Sequence, residues 1–335
     1  MRALDVGIAF ELRGDFTAPA GAPIDALEEY DTPSTLDALA EALRGLGHRP
    51  RPIGSGRVFL DTMLSRPPEI VFNIAEGRCT RSREAHVPAV CEMLGIPCTH
   101  SDPLAQALTL DKALAKRVVQ SCGIPTAPFR VVESRVEAEA AATMLSLPLF
   151  VKPAAEGSSI GVRVTSRVTD AAALIVEVER CLGDYRQPVL VERFLPGIEV
   201  TVGVRGFGNG ACVIGSMEVA PASGPAAEFV YGLESKRNYE ELVRYYVPPR
   251  SPAHAREAEE TALAAYRALG CRDIARIDVR FDDEGRANFI EANPLPGLNP
   301  VTGDLVVMTR LAGGQYEELI AAIVEEALLR YPQLC

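Results

Sequence analysis

Two rhythms of apolar and polar positions divide this chain. An apolar run at residues 5–10 predicts a strand. Thr32-Pro33 then opens a helix as cap and first residue, and Leu36, Leu39, Leu43 and Leu46 form a stripe at helical spacing that Gly47 ends. Strands follow near Pro52 and at residues 70–72, then a helix over 84–94. Strands alternating with helices predict a doubly wound α/β unit over residues 1–104.

From Ala105 the texture changes. A helix over 111–121 stops at Gly123-Ile124-Pro125, followed by a strand at 129–132 and a helix at 136–145. A strand at 149–153 runs into a loop at 154–161, a strand at 162–164, a helix at 169–182 and a strand at 189–193. Residues 105–193 thus read as a small α+β module. Residues 194–335 supply strands at 199–205 and 211–219, a helix at 253–269, a β-hairpin and a closing helix at 316–330. The stretch 220–246, rich in Pro, Gly and charge, reads as a mobile loop over a site.

The hairpin is the most informative segment. Ile277, Val279 and Phe281 alternate with Arg276, Asp278 and Arg280; Phe289, Glu291 and Asn293 alternate on the return strand. A two-residue turn at Glu284-Gly285 places Asp278 opposite Glu291 and Arg276 opposite Asn293. Directly opposed carboxylates repel by roughly 0.2–1 kcal/mol. A divalent cation reverses that sign, and two acids plus an amide oxygen are the hard ligands Mg²⁺ prefers.

Composition narrows the partners. With 47% hydrophobic and 24% charged residues this is an ordinary globular chain, and a net charge of −11 without a basic run argues against nucleic acid or an anionic membrane. The N-terminal apolar run is too short for a signal peptide and no stretch is long enough to span a bilayer, so the expected location is the cytoplasm. Eight cysteines (79, 91, 98, 122, 181, 212, 271, 335) lack any CxxC pair, and most are expected as reduced, buried thiols.

Other motifs gain meaning together. Lys152, Glu156, Gly157, Ser158, Ser159 and Gly161 make a Gly/Ser loop that lets backbone and hydroxyl donors approach a phosphate, although it lacks the GxxxxGK[ST] pattern. Glu192, Phe194, Leu195 and Glu199 place two acids around an apolar pair, as a purine slot with a ribose acceptor requires; an edge strand and a turn give the same pattern. Lys112 and Lys236 taken alone read as solvated charges. Arg276 shares a strand face with Asp278, which suits either a developing anion or a plain ion pair. Two prolines beside Gly297 stiffen the turn leaving the hairpin, so that an N–H can point into the site.

In this order the pieces resemble the ATP-grasp fold, and most of all the D-alanine–D-alanine ligases, from about Ile70 to Gly297. The fold class so implied is mixed α/β and α+β: a Rossmann-like pre-ATP-grasp domain, then a two-part ATP-grasp fold. The resemblance implies that Lys112 and Lys152 hold ATP phosphates, with Glu156, Ser158 and Ser159 in the covering loop. Glu192, Phe194 and Leu195 would bracket adenine, Glu199 would take the ribose, and Lys236 would reach the γ-phosphate. Asp278, Glu291 and Asn293 would bind two Mg²⁺ ions, and Arg276 with the Gly297 amide would stabilise an oxyanion. The implied reaction makes an acyl phosphate from a carboxylate and ATP, which an amine then attacks. Related ligases are commonly homodimers.

Departures concentrate in the substrate pocket. The family's Gly-Gly-x-Ser-x-Glu opening survives only as Ala9-Phe10-Glu11-Leu12-Arg13-Gly14. Its His-Gly pair and acidic loop are replaced by Ala75-Glu76-Gly77 and by Arg78, Arg81 and Arg83 ahead of Glu84. Arg237 stands where the family has tyrosine, and Thr302 where it has the serine that holds the second carboxylate. Glu76, Arg237, Arg276, Gly297 and Thr302 are therefore the candidate substrate contacts, and the arginines predict an extra anionic group on the first substrate. Solvated charges at a helix entry are the other reading. The expected activity is an ATP-dependent carboxylate–amine ligase; a ligase of specialised metabolism with other substrates and a non-catalytic nucleotide binder are the alternatives.

Overall fold

Strands β1 (Asp5–Ala9), β2 (Arg49–Pro52) and β3 (Ile70–Asn73) form a parallel sheet in the order β2-β1-β3. The computed structural model describes residues 2–78 and 80–334. β1 lies in the middle, and four of its five residues are buried, as a parallel strand covered on both faces requires. Helices Pro33–Gly45 and Gly56–Ser65 make the crossovers, so the expected doubly wound unit is present. Pro33 opens the first helix, but Thr32 makes no cap bond; its hydroxyl pairs with those of Ser34 and Thr35.

The second sheet is antiparallel in the order β4-β7-β5-β6, from β4 (Phe129–Val132), β5 (Leu149–Pro153), β6 (Arg167–Val168) and β7 (Val189–Arg193). The strand expected at 162–164 is absent. Val164–Ser166 is a 3-10 turn and pairing begins only at Arg167. Leu174 and Val178 of helix Ala171–Tyr185 pack on Val151 and Val191 to form this unit's core.

The third sheet is antiparallel in the order β10-β9-β8-β11-β12, from β8 (Glu199–Phe207), β9 (Cys212–Pro221), β10 (Val243–Tyr246), β11 (Arg272–Phe281) and β12 (Ala287–Asn293). β10 lies inside the segment expected to be a loop, which also carries the short helices Leu233–Arg237 and Tyr239–Leu242. Ala258, Ala262 and Tyr266 of helix Pro252–Ala268 cover one face of the sheet through Val202, Ile277 and Phe289. On the other face Ile320 and Val324 of helix Tyr316–Arg330 share a core with Val6, Ile8, Leu39 and Leu43 of the first unit. Nine of ten residues of β11 are buried in consequence.

The hairpin turn differs from expectation, yet the site register holds. Asp282 N–H donates to Arg286 and Gly285 N–H to Asp282, with Gly285 at φ +77°, so three residues span the turn and not two. Phe281 then faces Ala287 and Val279 faces Phe289. An irregularity between Asp278 and Val279 leaves Ile290 unpaired, which restores Asp278 opposite Glu291 and Arg276 opposite Asn293.

Of the described cysteines, most are buried and free as expected (Cys91, Cys98, Cys181 and Cys271), whereas Cys122 and Cys212 are free and exposed. Cys79 and Cys335 lie outside the described residues. Among the described residues no helix is long and apolar enough to cross a membrane.

Candidate functional site

The hairpin face meets the second sheet across a cleft. Arg276 contacts Asp278 at 3.0 Å and Asp304 at 2.8 Å, with Glu291 at 3.6 Å. Thr201 donates its hydroxyl to Asp278 at 2.9 Å, and Lys112 lies 3.4 Å from Glu291. Burial raises the Asp278 carboxyl, with Arg276 opposing and Glu291 adding to the rise. Glu291 is buried as well, but Lys112, Lys152, Arg276 and Lys236 outweigh that burial and hold it well below the usual carboxylate range.

These groups suit a hard cation. Asp278 and Glu291 oppose each other, and the Asn293 side-chain nitrogen is enclosed without a hydrogen-bond partner. A half-turn of that amide presents its oxygen instead. Among the described residues no three His, Cys, Asp or Glu side chains group to hold a metal, so the donor set here is two carboxylates and an amide.

The cleft is walled by Lys112, Lys152, Glu156, Ser159, Phe194, Leu195, Glu199, Lys236 and Glu291, as well as Glu192, Arg276 and Asp278. The sequence-predicted nucleotide residues thus converge, except that Ser158 faces the neighbouring cavity. Glu192 sits between Lys152 at 2.8 Å and Lys116 at 2.7 Å. Burial opposes its charge, but the two lysines hold it below its ordinary range. Its carboxylate is thus committed to protein, and the slot beside it is made by Phe194 and Leu195, both buried. Arg280 covers the Phe194 ring at 4.6 Å and pairs with Glu199 at 3.1 Å. Burial nonetheless pushes Glu199 up to about 7.

The covering loop is tied down. Lys112 donates to the Glu156 carbonyl, and Gln187 donates to the Glu156 carboxylate at 2.5 Å. Ser158 and Ser159 both take left-handed backbone, at φ +49° and +59°, and Gly161 follows at +80°. A Cβ on Gly161 would lie 2.4 Å from Pro153, so only glycine fits there. Asp25, from the first unit, accepts the Gly161 N–H at 2.9 Å and the Tyr185 hydroxyl at 2.9 Å.

A second cavity adjoins the cleft, and Tyr231, Lys236 and Arg276 line both. Lys236 lies 5.2 Å over the Tyr231 ring and pairs with no described carboxylate. Ser158, Arg237, Gly297 and Thr302 also line the second cavity. The Gly297 N–H donates to no described group, as its proposed oxyanion role needs. The Thr302 N–H is taken by Asn299 at 3.1 Å, which leaves its hydroxyl available.

Three substrate expectations change. Arg237 is spent on Glu28 at 3.0 Å and on the Ile24 carbonyl. Arg83 is buried on Glu29 at 2.7 Å and Glu156 at 3.3 Å, Arg81 pairs with Asp111 at 2.5 Å, and Arg78 stacks on Phe16 at 4.1 Å. These arginines are thus not a free anion receptor. Glu76 is half-buried beside Glu84 and lines neither cavity. Sequence reading passed over Lys116, Asp25, Asp304 and Tyr231; only Lys116, one turn beyond Lys112 on an apolar helix face, carried a periodic signal.

The family model for the D-ala D-ala ligase C-terminus matches residues 118–325. The D-alanine–D-alanine ligase of Parvibaculum lavamentivorans is 36% identical over 295 residues, covering 86% of this chain and 90% of that protein. The corresponding ligase of Gluconobacter oxydans is 35% identical over 300 residues (88% and 93% covered). An uncharacterized protein, y4sG, of Sinorhizobium fredii is 32% identical over 312 residues, with 88% of each chain covered. In structure the chain resembles the Bacillus anthracis D-alanine–D-alanine ligase complexed with ATP (TM-score 0.73, 20% identity, 100% of each chain). It also resembles the VanG D-Ala:D-Ser ligase of Enterococcus faecalis (TM-score 0.72, 20% identity, 97% and 100% covered). With the ordered lysines, the covering loop and the hairpin acids all brought to one cleft, the chain belongs to the D-alanine–D-alanine ligase family, an ATP-binding, carbon–nitrogen bond-forming enzyme of the ATP-grasp fold.

Proposed function

We propose that this enzyme joins two amino acids in an ATP- and Mg²⁺-dependent reaction through an acyl phosphate, in the manner of a D-alanine–D-alanine ligase. One observation carries the reading: Arg276 and Lys236 stand in the wall shared by the nucleotide cleft and the second cavity, where a carboxylate from one side meets a phosphate from the other. Both anions approach there, so cations must offset their repulsion. Lys112 and Lys152 hold the phosphate end, and Lys236, with no carboxylate partner, is free to reach the terminal phosphate. Bound at Asp278, Glu291 and Asn293, Mg²⁺ would neutralise charge on the transferred phosphoryl group. Arg276, fixed by Asp278 and Asp304, and the free Gly297 N–H are placed for the oxyanion formed when the amine attacks. The covering loop, anchored by Asp25 and Gln187, excludes water from the acyl phosphate.

A second reading, a pair other than two D-alanines, is favoured by the first unit: Glu11 is occupied by the Gly77 N–H at 3.0 Å and Arg237 by Glu28. Phosphate release over a matrix of D- and L-amino acids, with mass spectrometry of products, tests both. Release that depends on Mg²⁺ and on a specific pair is expected. Release without an amino acid, or none with any pair, would count against a ligase.

A further inference from the structure

Most charges in the wall of the second cavity are neutralised within the protein. Glu28 meets Arg13 and Arg237, Glu29 meets Arg83, and Asp304 meets Arg276 at 2.8 Å. Lys236 and Asp31 remain, neither in an ion pair with a described residue. One charge of each sign suits the α-carboxylate and α-ammonium of a single amino acid. No third charge is left to receive a charged side chain, and burying one unpaired is costly.

Much of the remaining wall is aromatic and aliphatic. Tyr231, Leu233, Tyr239 and Tyr245 line it half-buried, and Val307 lines it fully buried. The Asp304 carboxylate can only accept, so the Tyr231 hydroxyl donates to it at 3.1 Å and receives the Tyr245 hydroxyl at 2.8 Å. With both hydroxyls engaged, these two residues offer a ligand ring surface and not a polar handle. Lys236 lies over the Tyr231 ring, whereas the Tyr239 and Tyr245 rings meet at a 37° tilt with centroids 6.4 Å apart. The Tyr231–Asp304 bond ties this patch to the first residue of helix Asp304–Leu311, two positions after Thr302. The cavity holds 350 Å³, the share of on the order of ten water molecules at ~30 Å³ each. A methyl side chain displaces about one of them and leaves the rings wet.

We infer that the second amino acid, the one that supplies the amine beside Thr302, carries a bulky uncharged side chain, aromatic or branched aliphatic, seated on Leu233, Tyr239 and Tyr245. The inference rests on the ligase reading and names the side chain of its second substrate. Removing apolar surface from water on both sides drives that contact, which needs no polar partner. An aromatic side chain adds offset or edge-to-face contact with the tyrosine rings. A lysine or glutamate side chain would have to break the pairs that Glu28 makes with Arg13 and Arg237 to find a partner of its own. Leu233 and Tyr239 belong to the short helices Leu233–Arg237 and Tyr239–Leu242 of the lid segment. A large side chain therefore gives the lid a surface to close on, and its benefit extends to kcat as well as KM.

Alanine, leucine, phenylalanine, lysine and glutamate, in both hands, test the claim as second substrates with ATP, Mg²⁺ and a first amino acid held constant. Phosphate release should give kcat/KM at least tenfold higher for leucine or phenylalanine than for alanine, with lysine and glutamate below the better of the two. Tandem mass spectrometry should find the bulky residue at the C-terminal end of the product, because its amine is the one acylated. In Leu233→Ala and Tyr245→Ala the ratio of bulky substrate to alanine should fall toward one. Tyr245→Phe, which keeps the ring, should hold it. Alanine equal to or better than both, a charged side chain preferred, the bulky residue only at the N-terminal end, or an unchanged ratio in both alanine variants overturns the inference. Each of these leaves the ligase reading intact. If no pair supports turnover, the ligase reading fails separately. Calorimetry of wild-type protein with phenylalanine and with alanine then decides: tighter phenylalanine binding upholds the pocket, and equal or no binding overturns it.

Discussion

Lys116 and Glu192 meet at 2.7 Å with the lysine wholly buried and the glutamate 3% exposed. Burial pulls the Lys116 ammonium down, while the two lysines hold Glu192 below its ordinary range. The pair also fixes Lys152, which shares the same carboxylate at 2.8 Å and turns its stem toward the nucleotide cleft. Removing one partner of a buried pair strands the other. Lys116→Met should therefore cost on the order of 3 kcal/mol in chemical denaturation. It should also weaken ATP binding, because Lys152 is then drawn fully onto Glu192. A loss under about 1 kcal/mol would mean that Lys152 alone satisfies the carboxylate.

Glu291 is the acid that four cations keep ionised. Glu291→Gln keeps the shape and removes the charge, so turnover should fall by at least 1000-fold, roughly 4 kcal/mol of transition-state stabilisation. Nucleotide should still bind, through Lys112, Lys152 and the Phe194–Leu195 slot. Chelating divalent ions in the wild type should abolish turnover too. Undiminished turnover in either experiment contradicts the assigned metal role.

Asp25 is 1% exposed and fastens the first unit to the covering loop through Gly161 N–H and Tyr185. In Asp25→Ala both donors lose their acceptor, at about 1–3 kcal/mol for an unmet buried group. The loop should then open more often: KM for ATP should rise about tenfold, with a smaller change in kcat. Tyr185→Phe, which keeps the Gly161 bond, should show a milder form of the same effect. Steady-state kinetics and proteolysis within residues 154–161 would read both.

Strand and helix periods in the sequence located most of the elements, and the hairpin faces came from period two alone. The turn did not: Gly285 permits either a two- or a three-residue turn, and only the irregularity at Asp278 reconciles the observed turn with the site register. Helix Pro103–Leu110 was missed although Asp102-Pro103 is a cap-and-proline start, and Asp102 does accept the Ala105 N–H. Ligand-facing charges were legible where the backbone fixes their direction, as at Arg276 and Asp278. Arg83 and Arg237 were not, because their partners Glu29 and Glu28 lie 54 and 209 residues away in sequence. Long side chains choose partners through tertiary structure, which no local pattern encodes.

Asp31 and Glu84 give the free protein a definite pH signature. Burial raises both carboxyls to about 7, against an ordinary value near 4 in the unfolded chain. Between those values the folded state binds more protons than the unfolded one, so stability falls as pH rises. The loss begins near pH 4 and is complete above about pH 7, with roughly 1–3 kcal/mol at stake per group. Glu199, raised to about 7 as well, contributes in the same sense and is untouched by substitution at the other two. The Asp31→Asn/Glu84→Gln double variant should match the wild type well below pH 4, where both carboxyls are protonated in either state. Near pH 8 it should be the more stable protein by thermal or chemical denaturation. Wild-type and variant curves that run parallel across that range would mean these acids find a partner or solvent that keeps them ionised.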